Sequence, residues 1–270
     1  MNIGLFDSGL GGLIITKSII ESIPEYNFSY IGDTAHVPYG SRSKETIYNF
    51  TKNCVDYLFK NQNCELIIIA CNTASIASLR RLQQEYLKEN FPNRRILGVV
   101  IPTLETVIEN NYKSIGLLAT NGTVASNVFN QELKKLNKDI QLYSTPAPLL
   151  VPLIENNGDK YARPIIQDYI KTFENKNIEA IILGCTHYPH YKNIIKTEAE
   201  KILQRKIDII SQDEIIPKKI ITYLQNHPEI ETNLSKNGKR FFGITDITES
   251  YKQQAYSIFG EPIKIEKINL

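Results

Sequence analysis

The sequence predicts an α/β fold made of two similar, doubly wound domains with mainly parallel sheets. Short apolar runs alternate with longer segments of helical periodicity, such as 73–89, in which Leu79 and Leu82 fall on one face. Strands that are apolar throughout are typical of parallel sheets that helices cover on both faces. The alternation runs twice along the chain, which indicates two domains.

Eight apolar runs are the predicted strands. They cover residues 2–6, 28–32, 66–70, 96–100, 114–119, 140–143, 179–184 and 207–210. A helix is predicted over 43–61, and the tail 211–270 shows mostly helical periodicity. Because no glycine- or serine-rich linker separates the two sets of strands, we expect the two halves to pack closely.

Composition and charge exclude several classes of protein. The 31 basic and 29 acidic residues are spread along the 270 positions, for a formal net charge of +2, so no nucleic-acid partner is expected. No apolar run approaches the ~20 residues that cross a bilayer, and the first residues lack the basic start of a signal peptide. We therefore expect a cytoplasmic protein without a membrane partner, whose four cysteines stay reduced.

Three polar clusters directly follow predicted strands. They are DSGLGG (7–12), CNTAS (71–75) and CTHYP (185–189). Ligands of open parallel sheets bind outside the carboxyl ends of the strands. If the two halves face each other, one carboxylate and two thiols converge there. The sequence therefore predicts an active site in the cleft between the domains.

Two of the four cysteines stand apart from the others. Cys54 lies in an amphipathic helical pattern and Cys64 in a polar loop, and both are interpreted as small buried residues. Cys71 precedes Thr73 by two positions and Cys185 directly precedes Thr186, each at a predicted helix start, where free N–H groups favour anions. Such N–H groups can lower the pKa of a thiol from about 8.5.

A pair of thiols is suited to racemisation or epimerisation next to a carboxylate. Removing the proton leaves a planar intermediate, and a single base tends to return the proton to the face it came from. Two groups on opposite faces, one a thiolate and the other a thiol, avoid this. Asp7 is placed in sequence to assist Cys71, and His187 to assist Cys185, as general acid–base groups.

Two other interpretations stay open on these residues alone. A dinucleotide loop would use DSGLGG with Asp33 as the ribose-binding acid, but Ile14 stands where the third glycine is required. A zinc site would use Cys185, His187 and His190, although their spacing does not match the usual paired ligand runs. We predict that the protein uses neither a metal nor another cofactor.

Five motifs together resemble those of the glutamate racemase family. FDSGLGG, PYGSRS, ACNTAS, GTVAS (122–126) and GCTHYP have the order and spacing of that family, over nearly the whole chain. The resemblance implies a cofactor-independent enzyme that interconverts L- and D-glutamate and supplies D-glutamate for bacterial peptidoglycan. FDSGxGG separates this family from its aspartate-racemase relatives. An aspartate racemase or another two-thiol isomerase is the alternative, followed by a nucleotide-binding α/β module.

The resemblance also implies a role for each matching position. The implied catalytic residues are Cys71, Cys185, Asp7, His187 and Glu155, the last of which orients the histidine. The implied substrate-binding residues are Asp7, Ser8, Tyr39, Gly40, Asn72, Thr73, Thr123, Thr186 and His187. Ala147 departs from the family, in which a cysteine is common there, but it lies outside the five motifs.

The family fold implies a discontinuous first domain. The tail should return to that domain, which gives a first domain of 1–97 plus 211–270 and a second domain of 98–210. Glutamate is the implied small-molecule partner. The sequence leaves the choice between a monomer and a homodimer open.

Overall fold

The computed structural model describes residues 1–260 and 262–270. Within these residues the strands form two sheets. The strands are β1 (Asn2–Asp7), β2 (Phe28–Gly32), β3 (Cys64–Ile69), β4 (Arg95–Gly98), β5 (Ser114–Ala119), β6 (Gln141–Pro146), β7 (Ala180–Gly184), β8 (Asp208–Ile210), β9 (Arg240–Ile244) and β10 (Ile265–Lys267). Every pairing between them is parallel. The predicted α/β class with parallel sheets is confirmed.

Helices connect successive strands. They are α1 (Gly12–Ser22), α2 (Lys44–Lys60), α3 (Asn72–Arg81), α4 (Leu87–Asn90), α5 (Val100–Glu109), α6 (Asn121–Ser126), α7 (Val128–Leu136), α8 (Leu150–Glu155), α9 (Ala162–Lys171), α10 (Lys192–Leu203), α11 (Gln212–Asn226), α12 (Pro228–Glu231) and α13 (Glu249–Phe259). A π-helical turn, Leu82–Tyr86, joins α3 to α4. Short 3₁₀ turns cover Tyr39–Ser41, Asp159–Tyr161 and Tyr188–Tyr191.

The chain divides into two compact units. The first unit contains Met1–Val99 and Ile216–Leu270, and the second contains Val100–Ile215. The first unit holds the sheet β10-β9-β2-β1-β3-β4, and the second holds the sheet β6-β5-β7-β8. The order β2-β1-β3-β4 in one unit repeats as β6-β5-β7-β8 in the other, so the two units share a topology.

This strand order creates a switch point in each sheet. The chain leaves β1 toward β2 on one side, and β3 lies on the other side of β1. The loops after β1 and β3 therefore diverge at the carboxyl edge and leave a crevice between them, where open α/β sheets bind their ligands. The equivalent crevice of the second sheet lies between the loops after β5 and β7.

Both faces of the first sheet are covered, as its apolar strands require. In β3, Leu66 and Ile68 pack into a core that includes residues of α1 and α11. The alternate residues Ile67 and Ile69 pack into a second core, with residues of α2. Because consecutive side chains of a strand point to opposite faces, a strand buried on both sides has no polar alternation.

The tail differs in part from its predicted pattern. Residues 211–270 form helices α11 to α13, but they also form β9 and β10, which periodicity missed. β9 begins with an arginine, and β10 is a three-residue edge strand with two charged residues, so neither is an apolar run. β9 pairs with β2, and Phe242 and Ile244 enter the first core.

The predicted position of Cys64 was wrong, although its predicted burial was right. Cys64 does not lie in a polar loop; it is the first residue of β3 and is fully buried. The neighbouring Glu65 made this stretch look like a loop, but its side chain is also buried. Its carboxylate accepts a hydrogen bond from Asn233 Nδ2 at 3.0 Å, so a contact from the tail makes the polar residue compatible with a strand.

Candidate active site

The turn after β1 carries the first two candidate residues. Asp7 is the last residue of β1 and is fully buried, and its Oδ2 accepts a hydrogen bond from the Gly9 N–H at 3.0 Å. The turn is tight enough to require glycine at its end: a Cβ on Gly12 would lie 2.4 Å from Cβ of Asp7. Ser8 is thereby held between a buried carboxylate and the start of α1.

Cys71 lies on the other side of the same crevice. Its sulfur caps α3 and accepts a hydrogen bond from the Ala74 N–H at 3.4 Å. Ser8 Oγ lies 3.3 Å from the same sulfur, and either atom can be the donor. A helix N–H aimed at sulfur stabilises negative charge there. Asn72 and Thr73 follow in the first turn of α3, and both are buried.

Tyr39 and Gly40 lie in the 3₁₀ turn after β2. The Tyr39 hydroxyl donates to Asp33 Oδ2 at 2.7 Å, and its ring packs 6.4 Å from that of Phe6. The buried Asp33 carboxylate also contacts His36 Nδ1 at 2.8 Å and accepts from Thr245 Oγ1 at 2.8 Å. The residue interpreted as a ribose-binding acid therefore holds this turn against the end of β9.

In the second unit, Thr123 lies in the first turn of α6, the helix that follows β5. The Thr120 hydroxyl caps α6, accepts from the Thr123 N–H at 3.2 Å and donates to Thr123 Oγ1 at 3.1 Å. Thr123 is almost fully buried. Strand β5 adjoins β7, so Thr123 belongs to the crevice that the loop after β7 also borders.

Cys185 directly follows β7 and has a histidine beside it. Its sulfur lies 3.9 Å from Nδ1 of His187, and Thr186 between them is buried. Nε2 of the His187 ring lies 3.2 Å from Oε1 of Glu155, the last residue of α8. That contact has the distance of an ion pair. The three groups form a row of carboxylate, imidazole and thiol.

The row determines the charge of its histidine. Burial by itself lowers the pKa of His187, but the contacts with Cys185 and Glu155 outweigh burial and raise the pKa from 6.5 to about 10. The ring is therefore an imidazolium at neutral pH. A cationic ring beside sulfur stabilises a thiolate and can return a proton to it.

The structure separates His190 from the rest of the C-x-H-x-x-H pattern. Nε2 of His190 lies 3.2 Å from Asp159 Oδ1, and the side chain is exposed. Within residues 1–260 and 262–270, no three histidine, cysteine or acidic side chains are grouped so that they could hold a metal ion. Over the same residues, no helix combines the length and apolar character that crossing a bilayer needs.

The two remaining thiols are buried in the core of the first unit. Cys54 and Cys64 are 0% exposed, against 6% for Cys71 and 7% for Cys185. Burial, followed by the charge of Asp33, raises the pKa of the Cys54 thiol well above its usual value. Burial likewise raises the pKa of Cys64. The prediction that these two cysteines are core residues is confirmed.

Sequence reasoning missed one buried side chain of the first crevice. The Tyr30 hydroxyl, from the middle of β2, donates to the Gly9 carbonyl at 2.5 Å. Tyr30 is fully buried in an apolar strand, so its periodicity marks it as core alone. Only the position of the Gly9 turn beside β2 shows that its hydroxyl has a polar partner.

Comparison with known proteins places the chain among racemases. The Asp/Glu/Hydantoin racemase model matches residues 3–211. A glutamate racemase of a Sulfurihydrogenibium species is 38% identical over 273 residues, covering 100% of this chain and 98% of its own. One of Aquifex aeolicus is 33% identical and covers 98% and 96%.

A solved structure agrees with these sequence relatives. The glutamate racemase of Francisella tularensis subsp. tularensis, in complex with D-glutamate, superposes with a TM-score of 0.85 at 31% identity, over 99% of this chain and 97% of its own. The chain therefore belongs to the Asp/Glu/Hydantoin racemase family. All three of these relatives are glutamate racemases, and each is more than 30% identical to this chain over nearly its full length.

The burial of the four thiols predicts their order of reactivity. We expect iodoacetamide to modify Cys71 and Cys185 in the folded protein while Cys54 and Cys64 stay unmodified, because only a partly accessible thiolate reacts. Peptide mapping after timed alkylation measures each site. In denaturant all four should react, and faster modification of Cys54 than of Cys71 in the folded protein would contradict the assignment.

The Glu155 contact predicts a change in the titration of His187. We expect Glu155→Gln to lower the pKa of His187 from about 10, because the substitution removes the negative charge 3.2 Å from Nε2. The raised pKa stabilises the folded protein fully below pH 6.5, and this contribution is lost as pH rises toward 10. The variant should therefore be destabilised most near pH 6.5, and its difference from the wild type should shrink as pH rises toward 10.

An NMR titration of the His187 ring measures this shift. Asp159→Asn is the matched control, because Asp159 contacts His190 at the same 3.2 Å in an exposed pair. We expect the control to leave the His187 titration unchanged. An unaltered His187 pKa in Glu155→Gln would show that Glu155 does not set the charge of the ring.

Proposed function

We propose that this protein is an isomerase that interconverts L- and D-glutamate through two cysteines, without a cofactor. The observation that carries the proposal is the position of the thiols. Cys71 and Cys185 stand at the carboxyl edges of two parallel sheets with the same strand order, each at a switch point. The close full-length relatives are glutamate racemases, which supports glutamate as the substrate.

In the proposed reaction, both thiols act on one bound glutamate from opposite faces of its α-carbon. A thiolate on one face takes the α-proton and becomes a thiol, which leaves a planar carbanion next to the carboxylate. The thiol on the other face gives its proton to that carbon and becomes a thiolate. Each turnover therefore inverts the centre and exchanges the protonation states of Cys71 and Cys185.

The environment of each sulfur supports the two states it must adopt. Around Cys71, the Ala74 N–H and the Ser8 hydroxyl are donors that hold a thiolate. Around Cys185, the His187 imidazolium does the same, and Glu155 keeps that ring charged. General acid–base assistance of this kind contributes roughly 10²–10⁴-fold in rate.

The proposed substrate-binding groups suit an amino acid with two carboxylates. Ser8, Asn72, Thr73, Thr123 and Thr186 bring hydroxyl and amide donors, and the Gly40 N–H adds a backbone donor. We assign the Asp7 carboxylate to the ammonium group of the substrate. D-Glutamate made in this way would enter peptidoglycan synthesis, which is the role that the resemblance to glutamate racemases implies.

Chiral chromatography of L-glutamate incubated with the purified protein tests the proposed function. We expect conversion toward an equal mixture of enantiomers, and the same end point from D-glutamate, because the equilibrium constant between enantiomers is one. Activity should survive exhaustive dialysis against a chelator. Loss of activity that zinc restores would revive the Cys185–His187–His190 interpretation, and turnover of aspartate alone would make the protein an aspartate racemase.

Single substitutions of the two thiols should separate the two half-reactions. We expect Cys71→Ser and Cys185→Ser each to abolish racemisation in both directions, because every turnover uses both faces. Elimination from a β-substituted glutamate analogue needs only the first proton abstraction. In the family pattern the first thiol serves the D enantiomer, so Cys71→Ser should still process the L analogue and Cys185→Ser the D analogue.

Steady-state elimination rates with both analogues check this separation. Cys54→Ser is the control, since a core thiol should affect neither elimination. Equal loss of both eliminations in both active-site variants would show that the thiols are not independent single-face bases.

A further inference from the structure

The backbone of Gly9 is held at both ends by buried side chains. Its N–H donates to Asp7 Oδ2 at 3.0 Å, and its carbonyl accepts from the Tyr30 hydroxyl at 2.5 Å. Asp7 and Tyr30 are both 0% exposed. The peptide units on either side of Gly9 therefore have fixed partners, and so has the preceding residue, Ser8.

Tyr30 reaches this turn from the neighbouring strand. It pairs with Leu5 across β1 and β2, and its side chain lies on the sheet face that α1 covers. The packing around the turn has no slack: a Cβ on Gly32 would lie 2.4 Å from the Gly9 carbonyl oxygen, and one on Gly12 would lie 3.3 Å from the Tyr30 ring. The turn thus lies against Tyr30 and the end of β2.

The same turn places a hydroxyl beside the first thiol. Ser8 Oγ lies 3.3 Å from Cys71 Sγ, and Ser8 has the Gly9 peptide on its carboxyl side. A buried phenol without its acceptor, or a buried carbonyl without its donor, costs about 1–3 kcal/mol, so the Tyr30–Gly9 bond is strongly favoured. Displacement of the Gly9 carbonyl would carry Ser8 away from the sulfur.

We propose that Tyr30 is a positioning residue for Cys71: its hydroxyl fixes the Gly9 carbonyl and thereby keeps Ser8 against the first thiol. The residue touches neither substrate nor reacting atoms. Its effect is confined to the first unit, so it acts on one face of the reaction. The expected effect on racemisation rests on the proposed function. The expected effect on the reactivity of the Cys71 thiol does not.

The hydroxyl can serve in this way at every working pH. Burial, and then the negative charges of Asp7 and Cys71, raise the pKa of Tyr30 well above its usual value. Tyr30 therefore stays protonated and remains a donor to Gly9 while Cys71 changes between thiol and thiolate. A group that titrated together with the sulfur would release the turn during each cycle.

Tyr30→Phe is the direct test, because it keeps the ring and removes only the hydroxyl. We expect the pH profile of Cys71 alkylation by iodoacetamide to shift, while that of Cys185 is unchanged. We also expect kcat for racemisation to fall roughly 10- to 100-fold in both directions with a smaller change in KM, since a misplaced reacting group costs on that order. Elimination should fall for the D analogue only.

Tyr26→Phe is the matched control. Tyr26 lies in the same unit, and its hydroxyl donates to Glu231 Oε1 at 2.7 Å, away from the turn. We expect this variant to leave both alkylation profiles and both eliminations unchanged. A merely structural role of Tyr30 would lower the unfolding midpoint of Tyr30→Phe without a shift confined to Cys71.

A second variant keeps the proposal testable if Tyr30→Phe does not fold. Gly32→Ala keeps the phenol of Tyr30 but places a methyl group 2.4 Å from the Gly9 carbonyl oxygen and 3.3 Å from the Tyr30 hydroxyl, so it displaces the same hydrogen bond from the β2 side. It should produce the same change, confined to Cys71. Unchanged Cys71 alkylation in the folded variants, or equal changes at Cys71 and Cys185, would overturn the proposal. Alkylation of Cys71 needs no turnover. It therefore tests the role of Tyr30 even if the wild-type protein does not racemise glutamate.

Discussion

The parallel strand order is the constraint on which both halves of the site depend. When the first strand of a sheet lies between the second and the third, the loops after the first and third strands border one crevice. This order brings Ser8 to Cys71, although more than sixty positions of sequence separate them. The repeat of the order in the second unit brings the start of α6, which holds Thr123, beside the loop of Cys185.

The two sulfurs are supported by different physical means. Cys71 is stabilised by neutral dipoles, namely a helix N–H and a hydroxyl, whose strength does not change with pH. Cys185 has instead a full positive charge on His187, which depends on Glu155 and on the proton that the ring carries. Two thiols with the same role in a symmetric reaction therefore stand in unlike electrostatic environments.

Much of the fold and the site could be predicted from the sequence, and the exceptions have physical reasons. Buried parallel strands are continuous apolar runs, so β2 and β5 were predicted with their observed bounds. β9 and β10 were missed because their stability comes from pairing with β2 and with each other, which no local pattern records. Cys64 was misplaced because the partner of Glu65 lies in the tail.

The candidate residues themselves were found through their motifs, whereas the contacts that orient them were not. The sequence shows a tyrosine at position 30 and an aspartate at position 33 inside or beside an apolar strand. It cannot show that one hydroxyl meets the Gly9 carbonyl or that the carboxylate meets Thr245, because both contacts join distant segments. Side chains that orient site residues through hydrogen bonds between distant segments are therefore the hardest to recognise by pattern.

The discontinuous first unit has a consequence for synthesis on the ribosome. The second unit is one uninterrupted stretch, Val100–Ile215, and its core can close once that stretch has emerged. The first sheet must wait, because Phe28 of β2 pairs with Arg240 of β9, which is made almost last. Until then β2 is an open edge of the kind that recruits other chains. A nascent chain halted before β9 thus exposes an unpaired strand edge that the full chain covers.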